Sequence, residues 1–169
     1  FFVLGEIVRR VTGQTLDQFA RDRIFQPLGM RDTVFRPTAS LTPRIAPTES
    51  CGPLAWPCGG SDAVMLRGLV HDPTARRMGG VAGHAGVFST AGDLARFCRM
   101  LLAGGILDDV RMLAPLTVAR MTRVSTPLHL ADRRGLGWDI DSRFSSNRGD
   151  LFGFGSYGHT GFTGTSLWL

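Results

Sequence analysis

The chain contains no lysine; all 19 of its basic residues are arginine. That absence excludes Schiff-base chemistry, a P-loop and a lysine general base from these residues. Cysteine is scarce, at three residues, too few for a disulfide framework. Cys51 and Cys58 lie in a Pro/Gly-rich stretch and either pair in an oxidising compartment or stand as loop thiols. Cys98 falls on an apolar helix face and reads as core. The cysteine spacing matches no zinc site, and no metal or cofactor is expected. Tyrosine occurs once, at Tyr157. No apolar run approaches the ~20 residues a membrane-spanning helix needs. Clustered basic charge is also missing. The net charge is +5, but the longest basic clusters are the pairs Arg9-Arg10, Arg76-Arg77 and Arg133-Arg134, with no aromatic stripe beside them. Nucleic acid is therefore not an expected partner.

What is present is an ordinary globular composition, 43% hydrophobic and 20% charged over 169 residues, enough for one domain with a core. The opening FFVLGEIVRR is apolar but places Glu6, Arg9 and Arg10 after its apolar start, the reverse of a signal peptide. The first residue is not Met, and the chain reads as one piece of a longer protein, an incomplete single domain. The compartment and the oligomeric state stay open.

Leu4, Ile7, Val8 and Val11 recur at helical spacing, with Gly13 as a stop. Thr15-Leu16-Asp17-Gln18 is a capping box, so a second helix is expected to run to about Phe25, burying Leu16, Phe19 and Ala20. Residues 36–80 are rich in proline and glycine and predict a long irregular connection, of the kind that is functional or disordered. Thr90 and Asp93 are expected to cap a third helix whose buried stripe is Leu94, Phe97, Cys98, Leu101 and Leu102. Pro115 opens a short helix carrying Leu116, Val118 and Met121. GLGWDI, SYGHTG and GTSLWL read as strands. The order predicts an α+β fold, with a mostly helical region over 1–130 and the start of a sheet over 131–169.

Four histidines are the candidates for chemistry. His129 follows Pro127 in a polar segment and reads as surface. His71 precedes Asp72, which either orients its imidazole or belongs to a plain turn. His84 lies in GGVAGHAG, a loop built either to face a ligand or to cross tightly between elements. His159 stands among Gly158, Thr160, Gly161, Thr163 and Gly164. Glycine beside it leaves room for a substrate along an edge strand, or makes a turn or bulge at a sheet edge.

Three stretches carry a resemblance. FFVLGEIVRRVTGQTLDQFARDRIFQPLGMRDTVF resembles the segment that follows a Tyr-x-Asn motif. GGVAGHAGVFSTAGDLARFCRMLLAGG resembles a glycine loop and helix, and GHTGFTGTSLWL a Lys/His-Thr/Ser-Gly motif. In this order they make the chain similar to the serine beta-lactamase-like hydrolases: class C beta-lactamases, penicillin-binding carboxypeptidases and related esterases.

The resemblance implies a partial beta-lactamase/transpeptidase-like fold: a helical insert followed by the first strands of the returning antiparallel sheet. It implies hydrolysis of an ester or amide through an acyl-enzyme. In the family a Ser-x-x-Lys serine is the nucleophile, and a second-motif Tyr shares in proton transfer. Without lysine, Ser-x-x-Lys is not in these residues, and Tyr157 is too close to His159 to be the second-motif Tyr. Only the third motif is carried, His159-Thr160-Gly161. By resemblance His159 takes the lysine position and donates a hydrogen bond or charge. Thr160 and Gly161 keep the strand open, and the Phe162 amide is an oxyanion donor. His84 and Gly83 are candidate substrate contacts. Histidine at this position favours the esterase- and peptidase-like branches over a true beta-lactamase. The substrate is a small molecule or peptide: a beta-lactam, a D-amino-acid peptide or a carboxylic ester. The alternative is a non-catalytic member that binds a peptide or cell-wall ligand.

Overall fold

The computed structural model describes residues 1–51 and 64–169. The proposed Cys51–Cys58 pairing lies outside the described residues. Two compact units divide the chain, Phe1–Leu94 and Ala95–Leu169.

The first unit opens with α1 (Phe2–Thr12), ended by Gly13 in the left-handed conformation, whose amide donates to the Arg9 carbonyl. The capping box at Thr15 and Gln18 forms and starts α2 (Leu16–Ala20), which widens into a π turn over Arg21–Phe25. Ala20 is buried and Leu16 and Phe19 are partly so, as the pattern predicts. The stripe of α1 is helical, but Leu4, Ile7 and Val11 remain exposed. The helix packs instead through Gly5, which abuts Gly83 and Leu16.

The segment expected to be irregular holds short elements. A 3-10 turn covers Ala39–Arg44. After β1 (Val34–Phe35) come β2 (Ser50–Cys51) and β3 (Val64–Met65), an antiparallel pair extended by Thr48 and Glu49 bonding to Leu66. A short helix, α3 (Pro73–Arg77), starts at Asp72, whose side chain accepts from the Ala75 amide. Asp72-Pro73 is thus an N-cap followed by proline at N1, not a plain turn. Val70, Ala75 and Ala82 form a small buried cluster, with Ala85 against it. Then β4 (Val87–Phe88) returns to pair with β1.

Helix α4 (Ala91–Leu102) begins in the first unit. Thr90 caps it by accepting from the Asp93 amide. The Asp93 carboxylate does not cap; it accepts from the Asp32 amide at 2.8 Å and the Thr33 hydroxyl at 2.7 Å. The stripe also differs from expectation: Met100 and Leu101 are buried and Leu102 is exposed. Asp93, Phe97, Met100 and Leu101 follow the helical period, which leaves Leu102 on the outer side.

The second unit continues with a hairpin of β5 (Ile106–Leu107) and β6 (Val110–Arg111). Asp108 and Asp109 both have positive φ, as the central residues of a type I′ turn require. Helix α5 (Pro115–Thr122) buries Val118 but leaves Leu116 exposed. The closing sheet has β7 (Arg133–Arg134), β8 (Asp139–Asp141), β9 (Gly158–Thr160) and β10 (Ser166–Trp168), all antiparallel and in the order β10-β9-β8-β7. Trp138 packs edge-on against Tyr157 with ring centroids 5.4 Å apart, and Phe97 lies 6.4 Å from Trp138. Mixed helix and sheet make the fold α+β. No described helix is long and apolar enough to cross a membrane.

Candidate active site

His159 sits at the middle of β9, opposite Leu167 of β10. The strand is not at the sheet edge where the glycine pattern placed it. β10 flanks its whole length, while the pairing to β8 is at Gly158, opposite Asp139. The ladder continues behind the motif, with Tyr157 and Leu169 exchanging backbone hydrogen bonds of 3.0 and 2.9 Å. Tyr157 is buried, and burial pushes its phenol above the ordinary value.

The glycine before the histidine has a packing reason. A Cβ at Gly158 would run into the Leu167 carbonyl oxygen and the Trp168 indole. The glycine after it is crowded by the Thr165 hydroxyl. From Gly161 the chain turns: the Gly161 amide donates to the Thr165 carbonyl at 2.7 Å and the Gly164 amide to the Gly161 carbonyl at 3.1 Å. Phe162 lies in that turn with its side chain exposed.

Both imidazole nitrogens of His159 have neighbours. Nδ1 is 2.7 Å from the Thr160 carbonyl oxygen, an acceptor, so Nδ1 carries the hydrogen. Nε2 is 3.4 Å from Nη1 of Arg134, which can only donate, so Nε2 accepts. Arg134 lies on β7, with Nη2 3.6 Å from Oδ2 of Asp139 on β8. Its guanidinium carbon also sits 5.6 Å from the centre of the Phe144 ring. The Asp139 side chain is 1% exposed, and its Oδ2 accepts from the Ser142 hydroxyl at 2.7 Å.

Sequence reasoning missed Arg134 and Asp139. The signal was the pair Arg133-Arg134 in a strand. Neighbouring side chains on a strand take opposite faces, so one arginine of two must turn inward.

His84 and Gly83 belong to the first unit, at a tight turn closed by a bridge between Ala82 and Ala85. A Cβ on Gly83 would strike the Phe1 carbonyl oxygen, so this glycine serves a close backbone crossing with α1. The His84 ring lies 6.3 Å from Phe2, and Nε2 is 3.0 Å from Asp72 Oδ1. The partner of Asp72 is therefore His84, not the adjacent His71, whose Nε2 is 2.7 Å from Glu49 Oε1. His129 is exposed. Among the described residues no group of three or more His, Cys, Asp or Glu is placed to hold a metal ion.

A family model described as Beta-lactamase matches residues 1–169. The chain belongs to the Beta-lactamase family. It is 37% identical over 179 residues to a "Putative D-alanyl-D-alanine carboxypeptidase" of Salmonella schwarzengrund (strain CVM19633), across 98% of this chain and 39% of that protein. The chain thus spans about two fifths of the curated relatives it matches. In fold it is similar to a penicillin-binding protein homologue from Caulobacter crescentus. That match has a TM-score of 0.63 and 24% identity, covering 97% of this chain and 46% of the other. A family VIII carboxylesterase has the same TM-score of 0.63 at 21% identity, over 98% of this chain and 46% of the other.

Proposed function

We propose that this chain is the third-motif region of a serine hydrolase that cleaves an ester or amide through an acyl-enzyme. The nucleophilic serine, its lysine and the second-motif tyrosine are contributed by residues outside the chain. His159, Thr160 and Gly161 form one wall of the cleft, and the Phe162 amide is one oxyanion donor. Bond making belongs to the serine: it attacks the carbonyl carbon, the leaving group departs with a proton, and water later releases the acid. This wall orients the carbonyl and carries charge or hydrogen bonds toward the reacting groups. The substrate is an acyl compound of small or peptide size: a beta-lactam, a D-amino-acid peptide or a carboxylic ester.

The observation that carries this reading is the His-Thr-Gly strand, held in register by β10 with its histidine centrally placed, in a chain of this family. In the full-length polypeptide, His159→Ala is expected to lower hydrolysis of a nitrophenyl acyl ester by roughly 10²-fold or more. The fold, read by circular dichroism, is expected to stay unchanged. An unaltered rate would overturn the assignment. A full-length protein that binds a peptide or cell-wall fragment but forms no acyl adduct would establish the binding member instead.

A further inference from the structure

The resemblance to lysine-bearing relatives casts His159 as a donor of charge, but its surroundings give its two ring nitrogens different hydrogen-bonding roles. We propose that Arg134, itself held by buried Asp139, is a positioning residue that fixes His159 as the Nδ1–H tautomer with Nε2 as acceptor. This rests on the reading of His159 as the third-motif residue.

The argument is one of donor and acceptor capacity. A carbonyl oxygen only accepts, and the Thr160 carbonyl stands 2.7 Å from Nδ1. A guanidinium only donates, and Nη1 of Arg134 stands 3.4 Å from Nε2. Both contacts favour the same tautomer, and the two together hold it. The Nε2 lone pair thus faces Arg134, whose guanidinium supplies a permanent positive charge to this wall.

Two groups flank the Arg134 guanidinium besides His159, and a third fixes one of them. Asp139, on the neighbouring strand, faces Nη2 at 3.6 Å. A carboxylate 1% exposed needs a counter-charge, and Arg134 is within reach to supply it. The Ser142 hydroxyl occupies the same carboxylate oxygen at 2.7 Å and fixes its direction. The Phe144 ring lies beside the guanidinium plane, its centroid 5.6 Å from Cζ. A planar fork held this way presents one donor to the imidazole in a defined direction, which a flexible ammonium does not. Polar partners of this kind set the tautomer and basicity of a histidine; around metal-bound histidines their loss typically lowers affinity or activity about 10–100-fold, the scale expected for Arg134.

Histidine nitrogen resonances in the full-length protein test this, because the protonated nitrogen is identified directly by long-range proton–nitrogen correlation. In the unaltered protein the His159 proton is expected on Nδ1. Arg134→Met is expected to admit the Nε2–H tautomer and to lower kcat for a nitrophenyl ester about 10–100-fold with KM little changed. Arg134→Lys, which still donates only, is expected to keep the Nδ1–H tautomer and to restore part of the rate. A proton on Nε2 in the unaltered protein would overturn the proposal. So would a tautomer unmoved by Arg134→Met. If Arg134→Met does not fold, a switch to Nε2–H in Arg134→Lys has the same overturning force. His159→Ala separates the two claims. Full activity in that variant sinks the reading of His159, whereas lost activity with a tautomer indifferent to Arg134 sinks only the role of Arg134.

Discussion

Asp72 Oδ1 accepts from the Ala75 amide at 2.7 Å and lies 3.0 Å from Nε2 of His84, twelve residues away. One carboxylate oxygen therefore caps α3 and tethers the tip of the glycine loop. The carboxylate only accepts, so His84 offers Nε2–H. Asp72→Ala removes both contacts. Loss of the cap is expected to cost about 1 kcal/mol. Asp72→Asn, with an equally good capping oxygen, is expected to lose only a few tenths of that. Denaturant midpoints of the full-length variants, at unchanged slope, check the difference. Equal losses would show that the cap is not what Asp72 contributes.

The same carboxylate gives stability a pH dependence of known sign. The Ala75 amide, more than any other group, holds the Asp72 carboxyl below its ordinary value; burial opposes this, and the His84 hydrogen bond adds to the lowering. A carboxyl depressed in the folded state binds fewer protons there than in the unfolded chain. Its contribution is therefore fully present above the ordinary carboxylate value and is lost as pH falls through the depressed one. Unfolding free energies measured from neutral pH down through the carboxylate range are expected to fall less steeply in Asp72→Asn than in the unaltered protein. Parallel curves would contradict this.

Local chemistry was legible in the sequence and long-range partnership was not. The capping box at Thr15 and Gln18, the stop at Gly13 and the start at Pro115 each need only residues within one turn, and each is present. Asp72 shows the limit. Adjacency suggested His71 as its partner, but the ring that reaches it is His84, because α3 and the glycine loop lie between the two positions in sequence. Arg134 and His159 are 25 residues apart on different strands, and their meeting depends on sheet register, which local pattern does not encode. In α4 the apolar letters were read correctly, but not which of them face inward. Met100 lies seven residues from the anchored Asp93, on the same side of the helix, and is buried where Leu102 is not.

Asp93 is that anchor, and it predicts a large loss. Its Oδ2 accepts from the Asp32 amide and the Thr33 hydroxyl, and both Asp93 and Thr33 are buried. Thr33 also shares a 2.8 Å hydrogen bond with Ser89. Asp93→Ala removes the carboxylate acceptor of the Asp32 amide and the Thr33 hydroxyl and is expected to destabilise the protein by about 3 kcal/mol. Asp93→Asn keeps an acceptor oxygen but loses the charge, so roughly half that loss is expected. Thermal and denaturant unfolding distinguish the two. A surface-like change of a few tenths in Asp93→Ala would mean the network is not coupled to folding.

Gly158→Ala separates steric from chemical requirements at the candidate site. The backbone of Gly158 does not need left-handed freedom; the obstacle is space, since a methyl would meet the Leu167 carbonyl and the Trp168 ring. Gly164, in the following turn, is the opposite case: it has φ of 88° and open space around a built Cβ. Overpacking at Gly158 is expected to cost about 1–3 kcal/mol. It is also expected to displace β9 from β10, moving His159 although no reactive group has changed. Misplacement of about 1 Å at a reacting centre is enough to lower a rate about 10²-fold. In the full-length protein, Gly158→Ala should therefore lower ester hydrolysis toward the level of His159→Ala. Gly164→Ala should cost about 1–3 kcal/mol of strain with kcat largely retained. If Gly158→Ala keeps the full rate, the tight fit against β10 is not what holds His159 in position.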